Sequence, residues 1–113
     1  MKLVLADGEA VIADDVAWAR SFFERVRGLI GRDRLEHGRA LVIDGAHQVH
    51  TFGLAYSLDV VFCDSHWVVR HIVLDMPPRR VTRWVRGARY AIELPAGSVP
   101  AEIRSGARIA IHP

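Results

Sequence analysis

His47 and His50 stand in a His-x-x-His spacing. On a helix that spacing puts both rings on one face, within reach of a single zinc ion. The surrounding residues favour extended chain instead, where side chains alternate and positions three apart point to opposite faces. One ion could then be shared only across a bulge, so no metal site and no cofactor is expected; His47 reads as a surface residue and His50 as a hydrogen-bonded ring. Cys63 is the only cysteine, which excludes an intrachain disulfide and a cysteine-based zinc site. Next to Phe62 it reads as a small buried thiol, with only His66 near enough in sequence to activate it.

Three charges sit among apolar residues: Arg25, Asp59 and Glu93. A buried charge is tolerated when it is paired and hydrogen-bonded. The three are therefore expected to form a structural ion-pair network that clamps a helix to a sheet. The alternative is a carboxylate pair working as acid and base, or a hydrolase-type enzyme using His50 with Asp59 or Glu93. A further constellation gathers Arg79, Arg80, Arg83, Arg86 and Arg89 around Trp84. A guanidinium fork suits phosphate and an indole can stack on a base, which gives a second alternative, a phosphate or nucleic-acid binder. No RNA-binding aromatic motif, zinc finger or recognition helix accompanies these residues, so a solvated loop with Trp84 over a core edge is the expected form. The glycines make no phosphate-cradling loop, and no Gly-x-Ser-x-Gly is present.

The elements that must position these groups follow from composition and pattern. The chain has 113 residues, half of them apolar and a quarter charged, which suits one globular domain. Net charge is only +2 with a pI of 9.2, and every basic residue but Lys2 is arginine. Charge alone therefore does not argue for nucleic acid. The apolar runs are too short for a signal peptide or a membrane span, so a soluble, cytoplasmic protein is expected.

Apolar runs at 3–5 and 10–13 flank Asp7-Gly8, a tight-turn signal, and predict an opening hairpin. Asp14 and Asp15 offer N-cap oxygens, and Ala19, Phe22, Phe23, Val26, Leu29 and Ile30 follow at helical spacing. Together they predict a helix over about 16–30, with Phe22 and Phe23 on a sheet. Strands are expected at 40–43, 58–63, 67–74, 89–94 and 108–111, the second and third joined by a two-residue turn at Ser65-His66. Met76-Pro77-Pro78 should end the third, and Ser98 to Ser105 should form one helical turn. The expected fold is mainly β: a small antiparallel β-sandwich or partly closed barrel with one N-terminal α-helix. A parallel sheet would need crossover helices that the pattern lacks.

Four ordered stretches carry a resemblance. Arg25-x-x-Gly28-Leu29-Ile30-Gly31-Arg32, Val49-His50-Thr51-Phe52-Gly53 leading to Leu58-Asp59-Val60-Val61-Phe62, Glu93-Leu94-Pro95-Ala96-Gly97, and Gly106 resemble the domain-of-unknown-function family DUF192 over about residues 10–111. The resemblance implies a small jelly-roll-like β fold with one helix. It implies no agreed activity, cofactor or catalytic residue. Leu54, Ala55, Ser57 and Ala107 depart from its usual pattern.

The residues together point to a ligand- or partner-binding module with a groove beside residues 50–59, built from His50, Thr51, Phe52, Tyr56 and Asp59. Such a polar, glycine-containing segment feeding a buried strand is where function tends to sit on a rigid scaffold. The expected partner is a small ligand or a protein, not nucleic acid and not a membrane. A monomer or weak homodimer is expected, since an exposed edge strand can pair two copies.

Overall fold

The computed structural model describes residues 1–6, 10–21, 24–25, 28–30 and 34–113. Its strands are β1 (Lys2–Leu5), β2 (Val11–Ala13), β3 (Asp15–Ala19), β4 (Arg39–Asp44), β5 (Leu58–Cys63), β6 (Val69–Met76), β7 (Tyr90–Pro95) and β8 (Ile109–His112). They form a three-stranded sheet in the order β2-β1-β8 and a five-stranded sheet in the order β3-β4-β7-β5-β6. Among the described residues both sheets are open, so the fold is mainly β, built from two packed sheets.

β5 is buried along its whole length. It lies between β7 and β6 with both faces covered, which is why Leu-Asp-Val-Val-Phe-Cys reads as a near-continuous apolar run. Strand alternation sorts the neighbours. Leu41, Ile43, Leu58, Val60, Phe62 and Ala91 enter one cluster, which is closed by Leu29, Leu35, Val49 and Val85 from the connections. Ala40, Val42, Val61, Cys63, Ile92 and Leu94 enter the other, against Leu3, Ile12 and Ile109 of the small sheet.

Asp59 is the one charge on β5, and it is 1% exposed. Its carboxylate accepts three main-chain N–H groups, from Asp75 at 2.8 Å, Gly97 at 2.9 Å and Ser98 at 3.2 Å. It thereby ties the end of β6 and the turn after β7 to the central strand. Asp75 has φ 50° beside a register shift, so the bulge that breaks the β5–β6 ladder presents an otherwise unpaired amide to this carboxylate.

The helix expected over 16–30 is not borne out. Residues 15–19 are β3, pairing parallel with β4 in the register Asp15↔Arg39 to Ala19↔Ile43. Val16 and Trp18 alternate as a strand requires, and tertiary pairing with β4 overrides the helical spacing that follows. Asp14 and Asp15 cap nothing: both N–H groups donate to the Gly38 carbonyl, and the Asp15 carboxylate meets Arg39 at 3.2 Å. A capping box does appear later. Glu24 N–H donates to Ser21 Oγ at 3.1 Å while Glu24 Oε1 accepts the Ser21 N–H at 3.2 Å. The N–H groups of Arg25 and Gly28 then donate to carbonyls four residues back. Phe22, Phe23 and Val26, on which part of the expectation rests, lie outside the described residues.

The remaining differences are local. β1 and β2 form the opening hairpin, its Asp7-Gly8 turn lying outside the described residues. The β5–β6 turn is longer than two residues. Trp67 N–H donates to Asp64 O, Trp67 takes φ 65°, and Asp64 Oδ1 accepts the amides of His66 and Val68. This is a tight turn followed by a left-handed residue. Residues 98–105 hold single turns closed by Pro100 and Ile103, not a helical segment, because the Ser98 amide is given to Asp59 and to Pro95 O. The parallel β3–β4 pair departs from the all-antiparallel expectation; its connection runs through residues 20–38.

Two outcomes follow. Asp59→Ala leaves the amides of Asp75 and Gly97 without their acceptor, the Ser98 amide keeping Pro95 O, and is expected to lower the unfolding free energy by about 3 kcal/mol in urea denaturation; an unchanged midpoint would contradict the clamp. Cys63 is fully buried, and burial followed by the nearby Asp64 charge pushes its thiol from 9.0 up to about 12. Between those values the unfolded chain has lost its thiol proton while the folded one keeps it. Stability therefore falls as pH rises from 9 toward 12, and Cys63→Val should flatten that slope.

Candidate functional site

Pro77 and Pro78 end β6, and the chain returns as an irregular ribbon against residues 47–51. Thr51 fixes the register. It is fully buried; its hydroxyl donates to Pro77 O at 2.7 Å and accepts the Arg80 N–H at 3.0 Å, and its own N–H donates to Arg80 O at 2.9 Å. Thr82 does the same two residues on: its N–H donates to Val49 O at 2.9 Å and its hydroxyl accepts the Val49 N–H at 3.0 Å. Val85 N–H closes the ribbon on His47 O at 2.8 Å.

Between this ribbon and residues 25 and 28–30 lies a trough of about 490 Å³, on the face of the large sheet away from the small one. Its walls and floor are largely apolar, from Leu29, Ile43, Val49 and Leu54, and two charges enter it, Arg25 and Glu93. Glu93 is 2% exposed and rises from β7, paired with Leu41 of β4 and Val60 of β5. Two glycines admit these charges. Gly28, at φ 54°, would place a Cβ 3.4 Å from Glu93 Oε1, and Gly45, at φ 83°, would place one 2.6 Å from Arg25 Nη1. The Arg25 guanidinium also reaches Asp44 O at 3.4 Å. At the rim, His47 stacks on Trp84 with ring centres 4.7 Å apart and planes 11° apart, its Nδ1 lying 3.3 Å from Val85 O. Trp84 remains 62% exposed. His50 borders the trough and also an adjoining depression of about 390 Å³ that Phe52 and Val81 edge.

The five residues expected to line one groove are therefore separated. His50 lies on the trough and Phe52 on the depression beside it, whereas Thr51 is a buried clamp. Tyr56 borders a third hollow, larger at about 680 Å³ but more polar, where Arg34 lies 4.8 Å over its ring and Leu35 N–H donates to its hydroxyl at 3.4 Å. Asp59 points to the opposite face of the sheet. It pairs with Leu94 while Val60 pairs with Glu93, so successive positions put the two carboxylates on opposite sides. This separates the expected Arg25, Asp59 and Glu93 network: Arg25 and Glu93 share the trough, and the hydrogen bonds of Asp59 are to main-chain amides. An acid/base pair of Asp59 with Glu93 is likewise ruled out by the register, as is Asp59 acting with His50. His50 and Glu93 do border one trough.

The arginines around Trp84 are also dispersed. Arg89 holds Asp44 at 2.7 Å, Arg80 turns back to Arg79 O, and Arg83 lies near His71, whose imidazole is held below its usual value by burial and then by that guanidinium. Ser98 Oγ lies 3.0 Å from His37 Nδ1, an arrangement resembling a nucleophile and its base. The neighbouring Gly97 and Ser98 amides are already held by Asp59. Among the described residues no group of three or more His, Cys, Asp or Glu side chains could hold a metal ion. None of their helices is long and apolar enough to cross a membrane.

Fold and site together define a small open β-sandwich with an amphipathic surface trough. The chain belongs to the DUF192 family, described as an uncharacterized ACR, whose model matches residues 3–111. The search among curated proteins returned no match. A solved structure from Sinorhizobium meliloti 1021, provisionally described as a transcription regulator, superposes with a TM-score of 0.77 at 23% identity and covers 96% of this chain and 89% of its own. A protein of unknown function from Novosphingobium aromaticivorans DSM 12444 superposes with a TM-score of 0.80 at 16% identity, covering 97% and 82%. At these identities the likeness concerns the fold.

Sequence reasoning had named Arg25, Glu93 and His50, but not Leu29, Ile43, Gly45 or the His47–Trp84 stack as parts of one site. The one usable signal was glycine at 28 and 45, each near an arginine or carboxylate motif. Gly45→Ala would strain a left-handed backbone and collide with Arg25. It is expected to cost about 1–3 kcal/mol in urea unfolding, with Gly97→Ala, where no atom lies near the added carbon, showing the backbone part alone.

Proposed function

We propose that the protein is a binding module that holds its ligand in the trough between residues 25 and 28–30 on one side and 46–50 on the other. One observation carries this: an apolar-walled hollow of about 490 Å³ into which a buried carboxylate and a guanidinium converge, beside an exposed stacked indole. Largely apolar lining with a few convergent polar groups is the usual composition of a ligand site. The walls would bury the apolar part of a ligand, Arg25 and Glu93 would orient its polar groups, and Trp84 would offer its open face. A cytoplasmic setting, with Cys63 kept as a thiol, accompanies this reading.

The hydrolase alternative retains His50 with Glu93, because both border the trough. Binding is preferred because the lining between them is mainly apolar. The phosphate or nucleic-acid alternative, with Arg79, Arg80, Arg83 and Arg86 exposed beside Trp84, finds a parallel only in how the Sinorhizobium protein is described. His47 already covers one face of that indole, and Arg83 lies toward His71.

The test uses 1-anilinonaphthalene-8-sulfonate, an apolar anion of suitable size, followed by its fluorescence. Trp84→Ala removes an exposed ring and should change stability by no more than about 1 kcal/mol. It is expected to weaken dye binding roughly tenfold, equivalent to about 1.4 kcal/mol. Leu54→Arg should abolish binding while the chain stays folded by circular dichroism. Unaltered dye affinity in both variants contradicts the proposal.

A further inference from the structure

One wall of the trough is the stretch Ala46–His50, irregular chain bent at His47 and joined to the 80–85 ribbon by an isolated bridge at His50. Residues 47, 49 and 51 direct their main-chain groups to the 80–85 ribbon: Val85 N–H donates to His47 O, Thr82 N–H to Val49 O, and Thr51 N–H to Arg80 O, about the antiparallel bridge His50↔Val81. In extended chain the intervening residues turn theirs to the other edge. The N–H and C=O of Gln48 and His50 are accordingly engaged in no hydrogen bond among the described residues. Gln48 and His50 border the trough and the adjoining depression. Six consecutive residues, Gly45 to His50, border the trough. Gln48 to His50, which follow the bend at His47, span about 10 Å when extended, room for main-chain bonds at residues 48 and 50.

Resting on the reading of the trough as the binding site, we propose that its occupant is an extended peptide segment of a partner protein, docked as an added strand on the Gln48–His50 edge. Main-chain bonds to residues 48 and 50 give the segment its register. Side chains of one parity enter the hollow over Ile43 and Leu54, which calls for apolar residues at alternate positions. Side chains of the other parity pass outward between Trp84 and Phe52, both more than half exposed. A small apolar ligand would make no use of the unpaired main-chain groups, whereas an added strand satisfies them.

The experiment is a selection of random nonapeptides displayed on phage against the intact chain, followed by synthesis of an enriched peptide and of the same peptide N-methylated at each residue in turn. Methylation deletes one main-chain donor and leaves the protein untouched, so no variant needs to fold. Alternating apolar positions are expected in the enriched peptides. Methylation at residues of one parity should weaken binding tenfold or more, and at the other parity less than twofold. A uniform response to methylation overturns the added strand. If no peptide is enriched while 1-anilinonaphthalene-8-sulfonate still binds, the peptide inference fails and the trough reading stands. If neither binds, both fail.

Discussion

β5 and β7 run side by side at the centre of the large sheet, and the register between them decides where every charge of interest goes. Because Val60 faces Glu93 and Asp59 faces Leu94, the two buried carboxylates leave the sheet on opposite sides. On one side Asp59 meets main-chain amides of Asp75, Gly97 and Ser98 and becomes part of the framework. On the other Glu93 rises into the trough beside Arg25. Sliding one strand by a single residue would exchange these roles and bury the trough charge in the sandwich, which is the cost that keeps the register fixed.

The two faces are covered differently, and function follows from the difference. The small sheet closes the Asp59 face with apolar contacts around Val61, Cys63 and Ile92. The Glu93 face is closed by connections, which cannot tile a sheet as evenly as another sheet does. Leu29, Val49 and Val85 reach the sheet, and the gap between the segments that carry them is the trough. Thr51 and Thr82 hold one bank of that gap rigid through hydrogen bonds to the opposite chain. A preformed site on connections anchored to a rigid sheet is a common arrangement for recognition.

The strands were legible in the sequence because β-branched and aromatic runs between turn residues carry their own signal. Leu58 to Cys63 is the plainest instance, and Met76-Pro77-Pro78 ends its partner where expected. The helix misled because Ala19 to Ile30 does have helical spacing, while the strand at 15–19 exists through pairing with residues 39–43, which no local pattern reveals. Asp14 and Asp15 also offered cap oxygens, which the pairing with β4 leaves without a helix to cap. The site was legible only in parts. Arg25, His50 and Glu93 each stood out, yet their association depends on register and on segments far apart in the chain. Asp59 stood out for the same reason as Glu93, and only the pairing separates a framework carboxylate from a site carboxylate.

The central claim is that recognition takes place in the trough and not in the polar hollow beside Tyr56 or along the arginine ribbon. A ¹H–¹⁵N correlation titration with 1-anilinonaphthalene-8-sulfonate tests it residue by residue. The account predicts shifts concentrated at the amides of residues 45–50 and at the Trp84 indole N–H, with the amides of Gly97 and Ser98 on the far face unmoved. Shifts centred on Tyr56 and His37, or on Arg79 to Arg86 without the residues of the trough, would contradict it.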